Sequence, residues 1–248
     1  MTQDLSYLQD DGKGGFENID SSVVAFPFLR VLQSLSPQLK KSDPAYLPDA
    51  EEGMIYNNVS NRAYATPLRM VVIRFQHIYT IWRAGRKGFA GYADPAEVAR
   101  LQATGELIRN ERGKIVDPAT LNEYSETFCY YVLLPDYPEE GVCLLPLSST
   151  QLKEARRWNR LLINTYIPGT GRKALPHFLV WNITAPVMRN DQGSWSGFRA
   201  DFAGYVGPDD LKLVTTERAA LPSQDTKVDF TGMNSGSETT YADNNSGF

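Results

Sequence analysis

Basic and aromatic side chains interleave over one short stretch, Tyr79-Thr-Ile-Trp82-Arg83-Ala-Gly-Arg86-Lys87-Gly-Phe89-Ala-Gly-Tyr92. A second cationic group runs from Lys153 to Lys173, where Lys153, Arg156, Arg157, Arg160, Arg172 and Lys173 stand against a single acid, Glu154. Cationic groups neutralise phosphates and flat rings offer π-faces to unstacked bases, so the mixture suits a single strand of nucleic acid. The candidate phosphate contacts are Arg83, Arg86, Lys87, Lys153, Arg157 and Arg160, and the candidate stacking rings are Trp82, Phe89, Tyr92 and Trp158. About six neutralised phosphates would give a slope of log K against log salt near −4. Each ring also suits a hydrophobic core, Trp158 above all, because it flanks an apolar helical stripe.

Other chemistries find no support in the residues. The run Gly12-Lys13-Gly14-Gly15 lacks the spacing of a phosphate loop and has no strand before it. No GxSxG, HExxH, GxGxxG or EF-hand pattern occurs. His77 and His177 are the only histidines, 100 residues apart and without a neighbouring ligand. Two cysteines, Cys129 and Cys143, exclude a disulfide scaffold and a zinc site built from CxxC pairs; their apolar contexts predict buried, reduced thiols. Asp136, Glu139 and Glu140 read as turn residues rather than a magnesium site. The expectation is a binding protein with no catalytic residue, no metal and no cofactor.

A formal net charge of −4 over 248 residues argues against a nucleic-acid binder only until its distribution is considered. Residues 1–20 hold five acids against Lys13, and residues 221–248 hold four acids against Lys227. The 200 residues between them carry 23 basic and 20 acidic side chains, a net of +3. Both ends are polar and poor in aliphatics, so they read as an acidic N-terminal arm (1–20) and a disordered acidic C-terminal tail (221–248) around one domain (21–220). Apolar runs are only a few residues long, which predicts no membrane span, and the N-terminus has no signal-peptide pattern. A cytoplasmic protein is expected.

The elements that would carry these residues are mostly strands. Residues 24–35 read as extended, 36–52 as loop, and 53–64 as a hairpin turning near Ser60-Asn61. β-Branched and aromatic residues from Leu68 to Trp82 predict a long, bent strand, followed by a flexible loop over Gly85–Gly91. Asp94-Pro95 opens a short helix as N-cap and first helical residue. A small hairpin over 106–116 and strands at 127–134 and 142–147 follow. Ser148 and Gln151 form a capping box for a helix with an apolar stripe of Leu152, Ala155, Leu162, Ile163 and Tyr166 and a cationic stripe of Lys153, Arg157 and Arg160. Strands at 176–186 and 195–206, joined by a loop at Arg189–Gly193, precede a helix over Pro208–Ala220. Consecutive strands with few helices predict a mostly β or α+β domain: an OB-like curled antiparallel sheet or barrel with inserted helices.

Four blocks carry a family likeness: Pro27-Phe-Leu-Arg-Val-Leu-Gln-Ser-Leu-Ser-Pro-Gln-Leu-Lys-Lys-Ser42, Gly53-Met-Ile-Tyr-Asn57, Ser149-Thr-Gln-Leu-Lys153 with Trp158, and Asn190-Asp-Gln-Gly-Ser-Trp195. In order and type they resemble the single-stranded-DNA-binding proteins of bacteriophage replication modules, over about residues 20 to 210. None of the blocks is a chemical motif. The resemblance implies an OB-like core that coats single-stranded DNA without sequence preference, in replication or recombination inside the infected bacterial host. It also implies that an acidic tail ending on an aromatic, here Tyr241, Asp243 and Phe248, docks on a polymerase or helicase or lies over the DNA groove. The tail lacks the usual run of aspartates, with only Asp243 in its last eight residues. Self-association is compatible with this reading. The competing expectation is a phage adaptor that binds a host or phage protein through its tail.

Overall fold

The computed structural model of the protein describes residues 27–191 and 193–221. In chain order the strands begin with β1 (Leu29–Val31), β2 (Ile55–Asn57), β3 (Arg62–Tyr64), β4 (Leu68–Trp82) and β5 (Phe89–Ala93). Helix α1 (Pro95–Ala103) is followed by β6 (Ile108–Arg109), β7 (Ile115–Val116), β8 (Glu123–Leu133) and β9 (Cys143–Ser148). Helix α2 (Leu152–Asn164) leads to β10 (Leu179–Thr184), β11 (Val187–Asn190), β12 (Gly193–Ser196) and β13 (Arg199–Tyr205), and α3 (Pro208–Ala220) closes the described chain.

The fold turns on β4. Fifteen residues of strand span about 50 Å of chain. One side of β4 pairs with β8 from Val71 to Trp82. Its other side is shared, with β10 taking Leu68–Val71 and β5 taking Tyr79–Trp82. The ladder to β8 shifts register between Val72 and Arg74, the signature of a β-bulge, and the strand bends there. The eight-stranded antiparallel sheet, ordered β13-β10-β4-β8-β7-β6 with β5 and β9 branching from it, curls into a half-barrel consistent with an OB-like α+β fold. The sheet β1-β2-β3 abuts it where Leu144 N donates to Pro27 O at 2.7 Å.

Alternation assigns the two faces of the sheet to different partners. Leu68, Met70 and Val72 of β4, with Phe128, Tyr130 and Val132 of β8, face Leu152, Ala155, Trp158 and Leu162 of α2. Val71, Ile73 and Ile78, with Cys129 and Tyr131, face Val214 of α3 and the half-buried Phe89 and Tyr92. Cys129 and Cys143 are buried free thiols, and burial pushes the pKa of Cys143 up to about 12.

Several local expectations are corrected. Ser148 makes no side-chain cap bond, and α2 is entered through a 3-10 turn at Ser149–Gln151 instead of a capping box. Phe89–Gly91 is strand rather than loop, because it completes the distal pairing of β4. In α2 the apolar stripe runs through Trp158, while Ile163 and Tyr166 are exposed. The strand expected over 195–206 is two strands. At Gly197 an added Cβ would lie 2.6 Å from Met188 Cγ, and its N–H donates to Pro186 O at 2.8 Å, so the chain is gathered in and the ladder breaks. The side chain of Gln33 clamps the β11–β12 hairpin, donating to Ser196 O at 2.9 Å and accepting from Ser196 N at 3.0 Å.

Trp158 anchors α2 to the sheet. It is 0% exposed, stacks on Tyr130 at 4.5 Å and meets Trp181 edge-on at 6.0 Å. Tyr130 Oη donates to Asn159 Oδ1 at 2.8 Å, tying the same strand to the same helix. Trp158→Ala should cost about 3–5 kcal/mol, the range for deleting a large buried aromatic. Urea unfolding of the variant checks this; a loss under about 1 kcal/mol would mean the indole does not hold α2.

Candidate functional site

A trough of about 560 Å³ opens where β4 has no strand partner on its outer side among the described residues, between the stretches paired with β10 and β5. Bending at the bulge brings Arg74 and Phe75 to this gap from opposite faces of the strand. Helix α2 supplies Arg156, Asn159, Arg160 and Ile163, the short 3-10 turn Pro176–Phe178 supplies Pro176 and His177, and α3 supplies Arg218. Arg156, Asn159, Arg160 and Ile163 fall three or four residues apart, so they share one helix face. Four arginines and no carboxylate are among the described residues that line the trough.

The aromatic part is held in place by its neighbours. Phe75 is 41% exposed, with Phe128 edge-on at 5.5 Å and Tyr130 tilted at 5.2 Å. His77 continues the row and meets Phe128 edge-on at 4.9 Å. Arg156 lies over the Phe128 ring at 5.5 Å and donates to Glu126 Oε2 at 2.8 Å, and Glu126 Oε1 lies 3.2 Å from His77 Nε2. Arg74 stacks over Tyr131 at 5.6 Å and donates to Leu221 O at 3.3 Å, which joins it to the end of α3. Arg160 and Arg218 make no side-chain hydrogen bond or ion pair among the described residues. Converging cations at a partly apolar wall raise the local concentration of anions and offer a flat ring beside them.

The residues singled out from sequence are divided by the sheet. Arg160 lies in the trough. Lys153 is exposed at the start of α2. Arg157 turns aside to β13, donating to Ala200 O at 2.9 Å and to Asp201 Oδ1 at 3.2 Å, because the expected cationic stripe crosses two helix faces. Trp158 is corrected from a stacking ring to core. Trp82 is corrected likewise: it is 6% exposed, its indole N–H donates to Thr80 Oγ1 at 3.1 Å, and Phe89 closes over it at 6.0 Å. Phe89 and Tyr92 are half-buried against the Ile78 face.

Arg83 and Lys87 are exposed, and Arg86 Nε lies 3.6 Å from Glu123. These three sit beyond Trp82, about 20 Å along β4 from Phe75. The 83–92 turn packs on the sheet face opposite α2, so the two sequence clusters do not share a trough. Tyr241, Asp243 and Phe248 lie outside the described residues, as do residues 1–20 and 222–248.

Sequence reasoning missed Phe75, Arg74, His177 and Arg218 as site residues and counted Arg156 only within its cluster. The alternation Phe75-Gln-His77-Ile-Tyr79 was legible as one strand face, but nothing local announces the bulge that turns it to the surface. Among the described residues no group of three or more His, Cys, Asp or Glu side chains could hold a metal ion. No described helix is long and apolar enough to cross a membrane.

A family model described as Pam3 phage gp34-like protein matches residues 1–221. The chain belongs to this phage family. The match takes in every element above and ends at Leu221, the C-cap of α3. All trough residues therefore lie within the family region, and the acidic segment 222–248 lies beyond it. No curated protein and no solved structure matches the chain.

Burial and the neighbouring Arg218 hold the imidazole of His177 below the usual histidine range. The neutral form is thus favoured in the folded state. Its contribution to stability is full above about pH 6.5 and is lost as pH falls from there through the folded-state pKa. Histidine NMR should give a His177 midpoint below about 6.5, moving upward in Arg218→Gln without a full return, since burial is the larger cause. A midpoint unmoved by that substitution would separate Arg218 from the imidazole.

Proposed function

We propose that the trough binds single-stranded DNA without sequence preference, and that the protein is a non-enzymatic coating protein for phage DNA replication or recombination in the infected bacterium. The observation that carries this reading is the lining itself: an exposed, rigidly backed ring at Phe75 between arginines from β4, α2 and α3, with no carboxylate among the described lining residues. Phosphates would lie against Arg156, Arg160, Arg218 and Arg74, while a base covers Phe75. A duplex keeps its bases stacked and offers Phe75 no free face, so single strands are preferred. Contacts to phosphate and ring carry no base-edge code, which fits binding without sequence preference. An OB-like half-barrel is an architecture that presents such a surface.

Anisotropy of labelled oligo-dT is the appropriate measurement. Trp82, Trp158 and Trp181 are buried, and the half-buried Trp195 of β12 does not line the trough, so intrinsic fluorescence should change little on binding. With the four arginines as phosphate contacts, log K should fall against log salt with a slope of about −3, at about 0.7 per phosphate. Arg156→Ala with Arg160→Ala should weaken binding about tenfold per arginine and flatten the slope by about 1.4. Phe75→Ala should cost about 1–3 kcal/mol, the value of one stacked base. Unchanged affinity and slope in the double variant would remove the trough from the binding site, and no affinity of the unaltered protein for oligo-dT would end the reading.

A further inference from the structure

Tyr166, Phe202 and Tyr205 form a second exposed aromatic surface that the trough does not use. Tyr166 is 54% exposed just past the end of α2, and Phe202 and Tyr205 stand exposed on β13 with rings edge-to-face at 5.4 Å. The cluster is built, not incidental. Tyr205 Oη donates to Tyr166 O at 2.6 Å, and Phe202 rests edge-on against the buried Trp181 at 5.7 Å. Tyr166 bridges Lys173 in a one-residue ladder, and Lys173 Nζ sits 6.0 Å from the Tyr166 ring while donating to Asn164 at 2.8 Å. Arg172 is exposed beside it, and no hydrogen bond or ion pair holds its guanidinium among the described residues. The same segment then runs through Leu175 to His177 and becomes the wall of the trough. Ile163, on the other wall, is only three residues before Tyr166.

We infer that Tyr166, Phe202 and Tyr205, with Lys173 and Arg172, form a second subsite on which the same single strand stacks further bases after leaving the trough. The inference rests on the reading of the trough as a single-stranded-DNA site and names where the strand goes next. Three features select a polynucleotide rather than an apolar protein face as the occupant. The rings are flanked by cations whose charge complements phosphate. The one acid beside them on β13, Asp201, is held by Arg157 and Arg199. The surface also continues directly from the arginine-lined trough. From Arg156 to Ile163 the α2 wall rises about 10 Å, enough to separate two binding positions along one chain.

The subsite is tested by length dependence. Labelled oligo-dT of about 4 and about 16 nucleotides, the ends of the range for one OB-type surface, should separate occupancy of the trough from occupancy of both positions. Tyr166→Ala and Phe202→Ala should each lower the ratio of long- to short-oligonucleotide affinity about 5- to 150-fold, the equivalent of one stacked base. Lys173→Gln should flatten the salt slope of the long oligonucleotide by about 0.7, a readout that a folding defect does not mimic. An unchanged ratio in both ring variants and an unchanged slope in Lys173→Gln would overturn the subsite while leaving the trough intact. If the unaltered protein binds neither oligonucleotide, the trough reading itself has failed and the subsite falls with it.

Discussion

The divided pairing of β4 is the constraint on which the rest of the molecule depends. A strand of this length cannot keep one neighbour on each side and still curl into a half-barrel, because twist accumulates along it. The bulge between Val72 and Arg74 bends the strand and sharpens that twist locally, and beyond it the outer side of the strand changes partner from β10 to β5. Between those partners the strand edge is unpaired among the described residues, and it is flanked by the 3-10 turn at Pro176–Phe178 and by α2 and α3. A gap in the ladder is a liability in a sheet unless something covers it. Here it is lined with guanidinium groups, which discourage another strand from pairing and attract an anion instead.

Charge placement follows the same division. Several arginines elsewhere on the described surface are matched to a carboxylate: Arg62 with Glu139 and Glu140, Arg69 with Asp136, Arg100 with Glu97, Arg199 with Asp201. Exposed pairs of this kind are worth at most about 1 kcal/mol each, so they fix local geometry more than they stabilise the fold. Arg156 is the intermediate case. Glu126 and the Phe128 ring hold its guanidinium in one orientation, yet it still lines the trough. A formal net charge of −4 therefore coexists with a local field of the opposite sign. Whole-chain charge says little about a surface four arginines wide.

The strands and helices were largely legible from composition and periodicity, since each is decided by neighbours within a few residues. β4 and α3 have the bounds their residues predict, Leu68–Trp82 and Pro208–Ala220. The N-cap of α1 is made as Asp94-Pro95 implies, with Asp94 accepting from Ala96 N at 2.7 Å. The site was less legible, for a reason visible in single residues. Trp158 and Ile163 lie on the same helix; sequence placed Ile163 in the apolar stripe and left Trp158 open between core and stacking, because only packing on the curved sheet decides which face of α2 is covered. Arg157 and Arg160 are three residues apart and look equivalent, but β13 captures one and leaves the other. Phe75 gave no sign of exposure within its apolar strand, since the bulge that exposes it is set by pairing with a strand more than fifty residues away.

An exposed phenylalanine in the middle of a strand is itself an argument about selection. Burying that ring would stabilise the fold by about 1.5–3 kcal/mol, a sizeable part of the margin by which domains of this kind are folded. Neighbouring positions show that this sheet buries rings readily, with Phe128 and Tyr130 both covered. Closing α2 down over Phe75 would force Arg160, which has no ion pair among the described residues, toward the apolar face, and an unpaired buried guanidinium costs more than a covered ring returns. Arg160 thus keeps the ring exposed, while Phe128 and Tyr130 keep it from turning. A ring already fixed in orientation loses little side-chain entropy when another flat group settles on it. The same contacts that make this position a modest cost to folding make it an economical one for binding.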